Sequence, residues 1–487
     1  MISFNLVPNN AAASAVFVEQ EPVNRGTGSP VIPHKILIIG QYNAGKSPTV
    51  NTPQIILSKA DARDRYGRGS MLSIMIEAAM KRSGTVPIYA LPVADDGGAV
   101  KASGQVAITG PATAAGTFAL YIAGQLVSVA VTSGMTANQL SAALTAAVNA
   151  KLDLPVVATD EYGTVDIECR WAGASGNQIS IEINLTAGDV TPAGLTVVVT
   201  DMASGATDPV LTTALASLGD TWYTEIANPY IGNTQIVSIE AAGETRVDPG
   251  VKRPFAAFTG YTDTAANFLT FLSTRNSQWN TMVPVHGSPT PAYEIAAGAV
   301  GMFAAVQQST PGRPCKGLTI PGALANAAND ITYTSRNAIV LEGGSHTYNQ
   351  GDGTVTVGDL VTTKTTEGGA VTEDWRWTII IPNLQFKIYA IENTFKGAPF
   401  DRAVVLADGD PPGPTYGVRP STVKAYAISL VDNWVGRGLS TARDQIVEGI
   451  IAEIDGSNAG RINLAIPDVP SAGLRVLAAK LEWAFLV

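Results

Sequence analysis

The stretch "GQYNAGKS", Gly40 to Ser47, satisfies the phosphate-binding pattern G-x-x-x-x-G-K-[ST] letter for letter. In a nucleotide hydrolase such a loop follows a buried strand, offers its N–H groups to phosphates and opens a helix at the Lys-Ser pair. The strand is expected here, because "KILIIG" is a short apolar run ending on Gly40. The helix is not. Pro48 suits a first helical turn, but Pro53 would remove a hydrogen bond and clash in the second, at a cost of about 3 kcal/mol. Without that helix no positive dipole end is aimed at a phosphate. The best magnesium-binding carboxylates, Asp95 and Asp96, follow "VPIYALPVA", where Pro87 and Pro92 argue against a central strand. The expectation is a strand and a turn, with no nucleotide.

Other chemistry is scarcer. His34, His286 and His346 are the only histidines; none lies in H-E-x-x-H or within four residues of another, so no zinc site is expected. Ser70, in "GRGSML", has the look of a subtilisin nucleophile turn, whose triad runs in the order Asp, His, Ser. No aspartate precedes His34, the only histidine before Ser70, so that order cannot be built. Ser70 is expected instead to cap the apolar helix after it. The carboxylate pairs Asp95-Asp96 and Asp408/Asp410 lie in Gly/Pro-rich turns, where Asp serves backbone hydrogen bonding. Trp375 and Trp377 flank Arg376 and share one face at strand period, a pattern expected to pack in a core. No catalytic, cofactor-binding or metal-binding residue is assigned.

The elements that would position any site come next. At 487 residues the chain should hold about three domains. After "KILIIG" the spacing predicts a helix at "SMLSIMIEAAMKR" with Ser70 as N-cap, then a strand at "VPIYAL". Residues 98–203 change character: a hairpin at "TFALYIAGQLVSVAV", a helix opened by a Thr136…Gln139 capping box, and alternating strands at "VVATDEYGTVDIECRWAG", "ISIEINL" and "LTVVVTDM". From 207 to 310 strand and helix alternate, from "WYTEIAN" to "AYEIAAGAVGMFAAVQQ", which implies a parallel sheet covered by helices. Strands are then expected at "TVTVGDLVTT" and "DWRWTIII", helices at "LQFKIYAIENTF" and "STVKAYAISLVDNWV", and strands at "GRINLAIP" and "KLEWAFLV". Two strands stand apart, with Ile2, Phe4 and Leu6 on one apolar face at the beginning and Leu481, Trp483, Phe485 and Val487 on one at the end. Neither has a local partner.

Composition narrows the function classes. The chain is 46% hydrophobic, enough for a large core, yet only 15% charged against roughly 25% in ordinary soluble domains. Much of its surface is therefore expected to be covered by other subunits. A net charge of −10 and the absence of a Lys/Arg run argue against direct nucleic-acid binding. No apolar stretch reaches the length of a membrane span, and the opening residues lack the basic and apolar regions of a signal peptide. Cys169 and Cys315 are far apart in sequence, without a CxxC partner, and are expected to be reduced and inert. These residues leave open a static shell or tube protein and, less well supported, an α/β NTPase or hydrolase.

Three stretches resemble the contractile-tail sheath proteins of bacteriophages, most closely the Mu-like branch. They are "ILIIGQYNAGKSPTVNTPQIILSKADARDRYGRGSMLSIMIEAA", "VTTKTTEGGAVTEDWRWTIIIPNLQFKIYAIENTF" and the C-terminal "RINLAIPDVPSAGLRVLAAKLEWAFLV". The resemblance implies an α/β fold with an inserted β-rich domain, a non-catalytic core of subtilisin-like topology, and terminal strand arms. It divides the chain into an N-terminal arm (1–25), a discontinuous inner α/β domain (26–97 and 354–472), an inserted outer domain (98–203), a subtilisin-like α/β domain (204–353) and a C-terminal arm (473–487). It implies no cofactor and no catalysis, and Gly-Lys-Ser letters that are not an active element. The implied partners are further copies of the chain in stacked rings, the tail tube, and the baseplate and terminator proteins. Assembly in the host cytoplasm and residence in the virion tail follow, with Ile2, Phe4, Leu6, Leu481, Trp483, Phe485 and Val487 as inter-subunit contacts.

Overall fold

The computed structural model describes residues 32–326, 329–411 and 413–483. Its centre is a six-stranded sheet. The apolar run after His34 forms β1 (Ile36–Gln41), buried along its whole length. The turn at Pro48–Pro53 leads to a short strand, β2 (Gln54–Ile56), then to helices α1 (Lys59–Tyr66) and α2 (Met71–Met80) and to β3 (Ile88–Val93). Later come β11 (Glu225–Asn228), β12 (Ala256–Tyr261) and β13 (Asn280–Pro284), and the strand order is β13-β12-β11-β1-β3-β2. All neighbours run parallel except β2, which lies antiparallel on β3. The expected parallel sheet is present.

One expectation about this sheet fails. β3 carries Pro92 and is paired on both sides. Pairing with β2 stops at Gln54 opposite Ala90, so Pro92 has strand β1 alone beside it, with Gly40 opposite. Its carbonyl points away from β1 and accepts the Asn51 N–H at 2.8 Å. The missing proline N–H points the same way, where no strand needs it.

Helices cover the sheet. A short helix, α4 (Thr212–Ala216), is followed by α5 (Asn233–Val247), α6 (Ala265–Leu272) and α7 (Ala292–Ser309). α7 is apolar nearly all round, as a helix enclosed on every side must be. It lies against α2 so closely that a Cβ on Gly301 would stand 2.3 Å from the Ala79 carbonyl oxygen.

Residues between β3 and α4 form the β-rich module. It contains β4 (Lys101–Thr109), β5 (Gly116–Ile122), β6 (Gln125–Val131), α3 (Ala137–Ala150), β7 (Val156–Asp160), β8 (Thr164–Ala172), β9 (Ile181–Ile183) and β10 (Thr196–Ala203). These make two sheets, β10-β4-β8-β7 and β6-β5-β9. The 116–131 hairpin is in register as expected, and Thr136 and Gln139 form both halves of the capping box on α3. Entry and exit lie together: Val100 and Ala206 exchange two backbone hydrogen bonds of 3.0 and 3.1 Å.

Beyond α7, β14 (Thr319–Leu324), β15 (His346–Asn349) and β16 (Thr354–Asp359) form a three-stranded sheet in the order β14-β16-β15, and α8 (Tyr333–Leu341) precedes β15. A last unit comprises α9 (Ile380–Lys396), α10 (Pro420–Gly436), α11 (Arg443–Gly449) and an antiparallel hairpin, Ile451–Ile454 with Ile462–Ala465. It has its own core, in which Phe386, Ala427, Val431 and Trp434 meet Ile32 and Trp222.

Two further expectations, both about the stretch before α9, are corrected. "DWRWTIII" is not a strand: Asp374–Thr378 makes turns and one bridge, Val361 to Trp377, and Ile380 already belongs to α9. Pro382 sits in the first turn of that helix, where its lacking N–H costs nothing. Arg376 is the buried residue of the trio and the two tryptophans are half-buried, the reverse of the expected facing. The division between 26–97 and 204–353 runs through the middle of one sheet, since β1 hydrogen-bonds to β11. Residues 354–359 likewise pair with β14 and β15, away from the helical unit that follows. Finally, Lys480–Trp483 forms no strand within the subunit; residues 484–487, with Phe485 and Val487, and the opening segment with Ile2, Phe4 and Leu6 lie outside the described residues.

Candidate functional site

The loop that matches the phosphate pattern is closed on itself. After β1 the chain turns at once: Lys46 N–H donates to the Asn43 carbonyl at 3.2 Å, and Asn43 N–H to that of Tyr66 at 2.9 Å. No helix follows Ser47, and the next one, α1, begins at Lys59 behind its own cap, Ser58. The Lys46 ammonium donates to the Asp64 carbonyl at 2.8 Å. The loop thus serves as a strap over the end of α1.

The neighbouring Gln41 is the buried hub. Its amide nitrogen donates to Asp95 Oδ1 at 2.7 Å and to the Ala172 carbonyl at 2.6 Å, and its oxygen accepts from Tyr230 at 3.3 Å. Asp95 also accepts the Ala172 N–H at 3.1 Å. The carboxylate considered for magnesium therefore ties the end of β8 in the module to the end of β1. Asp96 turns away and caps the Gly98 N–H at 2.9 Å.

The other candidate groups are each engaged separately. Ser70 is fully buried and caps α2, accepting the Ser73 N–H at 3.2 Å. His34 Nδ1 lies 2.8 Å from Glu225, both buried, at the start of β1 and β11. His286 Nδ1 donates to the Asp263 carbonyl at 2.7 Å, and burial lowers its pKa. His346 lies 3.8 Å from Asp359, and burial again lowers its pKa despite that carboxylate. Asp408 accepts from the Ser421 hydroxyl and also from its N–H at the head of α10, which hold its carboxyl below the usual range, while Asp410 accepts from the Ala407 N–H. Among the described residues no group of three or more His, Cys, Asp or Glu is placed to hold a metal ion. No helix of the described residues is long and apolar enough to cross a membrane. Cys169 and Cys315 are free and buried, and burial pushes both thiols up to about 12.

What the surface offers is apolar edges. The hairpin of Ile451–Ile454 and Ile462–Ala465 is a two-stranded sheet with no third strand among the described residues, and Ile451 is 59% exposed. Beside it runs a groove walled by Ile391 and Phe395 of α9, Val423 of α10, and Ile462, Leu464 and Ile466. The first of these strands escaped the sequence reading, although "IIAEI" alternates. At the C-terminal end, Leu477, Leu481 and Trp483 are 82%, 88% and 75% exposed.

No protein-family model matches the chain. The tail sheath protein of the Mu-like prophage FluMu from Haemophilus influenzae is 29% identical over 465 residues, covering 95% of both chains. Among solved structures, a sheath tail protein from Desulfitobacterium hafniense superposes with a TM-score of 0.51 at 11% identity, over 95% of this chain and 97% of that one. The sheath of an extracellular contractile injection system in its contracted state gives a TM-score of 0.49 at 9% identity, over 97% and 98%. The chain has the mixed α/β fold of a sheath tail protein, and over 95% of its length it is similar in sequence to a Mu-like prophage tail sheath protein.

Proposed function

We propose that the chain is the repeating structural subunit of a contractile tail sheath, and not an enzyme. Copies stack as rings around a tail tube, between a baseplate and a terminator, and rearrange to drive the tube through a host envelope. The observation that carries this reading is the match along 95% of the chain to a Mu-like prophage tail sheath protein. A polymer of this kind needs heterologous contacts that propagate without closing. It also needs two packings of one subunit with a barrier between them, so that the long form is trapped until triggered.

The link between subunits is assigned to the two ends of the chain. Ile2, Phe4 and Leu6 at one end and Leu481, Trp483, Phe485 and Val487 at the other each carry an apolar face at strand spacing. A strand added to an open sheet edge gains main-chain hydrogen bonds and buries alternate side chains. The 451–465 hairpin and the groove beside it, rimmed by Phe395 and Leu464, offer such an edge. Four C-terminal side chains buried there contribute on the order of 6–12 kcal/mol per link before ordering costs. Negative-stain electron microscopy of the purified chain tests the function: striated tubes of two distinct lengths and widths are expected. Smooth, non-contracting tubes or closed shells would replace the reading by a static structural role. The division into an outer module at 98–203 and subtilisin-like topology in the core belongs to the same reading.

A further inference from the structure

The C-terminal segment leaves the body in two stages. Its root is fixed by groups in the second core. Lys387 on α9, buried with its ammonium 5.5 Å from the Trp434 ring centroid, pairs with Asp468 at 2.5 Å, and Ser440 donates to the other Asp468 oxygen at 2.6 Å. Around that pair Thr441 N–H donates to the Val469 carbonyl at 2.9 Å, and Ser471 N–H to that of Leu439 at 3.0 Å. Beyond Ser471 the hold changes character. Residues 471–475 alternate, with Ser471, Gly473 and Arg475 turned to the body and Ala472 and Leu474 to solvent, and from Val476 to Trp483 every residue is exposed.

Three contacts make this second stage. Gly473 passes Pro314 so closely that a Cβ would stand 2.5 Å from its ring. The Arg475 carbonyl accepts from Lys316 Nζ at 3.0 Å. The Arg475 guanidinium lies over the Trp377 indole, 3.1 Å from the ring centroid, with Asp359 and Glu373 attracting it and Arg376 opposing. None of these is a β-ladder, and each depends on a single side chain of the body, from Pro314, Lys316 or Trp377.

We propose that residues 472–475 are a releasable strap, with Trp377 and Lys316 as the catch, that sets where the exposed C-terminal arm leaves the body. This rests on the reading of 473–487 as an arm. With the strap closed the solvent-exposed stretch begins at Val476; with it open it begins at Ala472, four residues earlier. At about 3.3–3.6 Å per extended residue, release adds roughly 13–14 Å of reach. A link that must stay attached while neighbouring subunits change spacing needs such slack, and the Lys387–Asp468 root keeps the arm from peeling further.

Trypsin reads the strap directly on the full-length, unassembled chain. Arg475 is held on Trp377, whereas Lys480 is exposed and serves as the internal reference. Cleavage after Arg475, followed by mass spectrometry of the C-terminal peptides, is expected to be at least tenfold slower than after Lys480. Trp377→Leu should bring the two rates together, and Lys316→Ala should move them part of the way. Arg475→Lys keeps the charge and the cleavage site but loses the planar stack, so it too should be cut faster; it stands in if Trp377→Leu fails to fold. Equal rates in the wild-type chain, or a ratio unmoved by Arg475→Lys, overturn the strap. Because no assembly is involved, that outcome leaves the sheath reading standing, and failure to form tubes leaves the strap result intact.

Discussion

Replacing Leu481 and Trp483 together by alanine separates assembly from folding. Both side chains are exposed in the subunit, at 88% and 75%, so the subunit should melt within about 0.5 kcal/mol of wild type, as surface substitutions do. If a neighbour buries them, each is worth about 1.5–3 kcal/mol, or about 3–6 kcal/mol per link. Alanine also spares the cost of immobilising two side chains, about 0.5–1.5 kcal/mol each. The net loss is about 2–3 kcal/mol, and at 1.4 kcal/mol per tenfold the critical concentration for polymerisation should rise roughly thirty- to one-hundred-and-fortyfold. Sedimentation over a concentration series, with electron microscopy of the pellets, measures it. A critical concentration within threefold of wild type, with the same tubes, would refute strand donation by this end of the chain.

Other outcomes follow from the same geometry. Titration calorimetry with magnesium and ATP or GTP should show no saturable heat, and Lys46→Ala should leave assembly unchanged; micromolar binding abolished by that substitution counts against the closed loop. Joining the chain across 98–203 should leave a soluble remainder that still polymerises, because Val100 and Ala206 already lie side by side. That remainder should lose about 2–3 kcal/mol of stability as Tyr293 is uncovered from Trp171 and the Ser180 bond to the Pro289 carbonyl goes; an insoluble or unfolded product would show the module to be integral. With both thiols pushed up to about 12, only about one in ten thousand is ionised at pH 8. Native chain should therefore take up no iodoacetamide in an hour, and denatured chain two equivalents.

Local signals were legible where one residue decides a structure. Ser70 and Thr136 announced their helices because a cap needs only a side-chain oxygen and the next turn. Pro53 announced the missing helix after Gly-Lys-Ser in the same way. "DWRWTIII" was misread because its β-branched and aromatic residues favour strands, while Pro382, which suits a first helical turn, was the stronger sign. The placing of β3 inside the sheet was hidden because it depends on where β2 stops, a fact of pairing and not of composition. The run of the sheet from β1 into β11 was hidden for a related reason, since nothing local to "KILIIG" tells that its partner lies at Glu225. Gln41 escaped notice altogether: its place inside the phosphate pattern drew attention to Lys46, and its three partners come from three distant parts of the chain.

The central position of β1 bears on how the chain is made. Ile36 pairs with Glu225, 225 − 36 = 189 residues later. At about 5–20 residues per second of synthesis, the first strand waits roughly 10–40 s for the second of its neighbours. During that time β3 covers one edge of β1, and the edge carrying Ile36, Leu37 and Ile38 stays open to other chains. The module between them is contiguous in sequence and can close its own sheets on a shorter timescale, of milliseconds to seconds. Slower translation through 98–203 should therefore lower the yield of soluble subunit while leaving the melting temperature of what does fold unchanged.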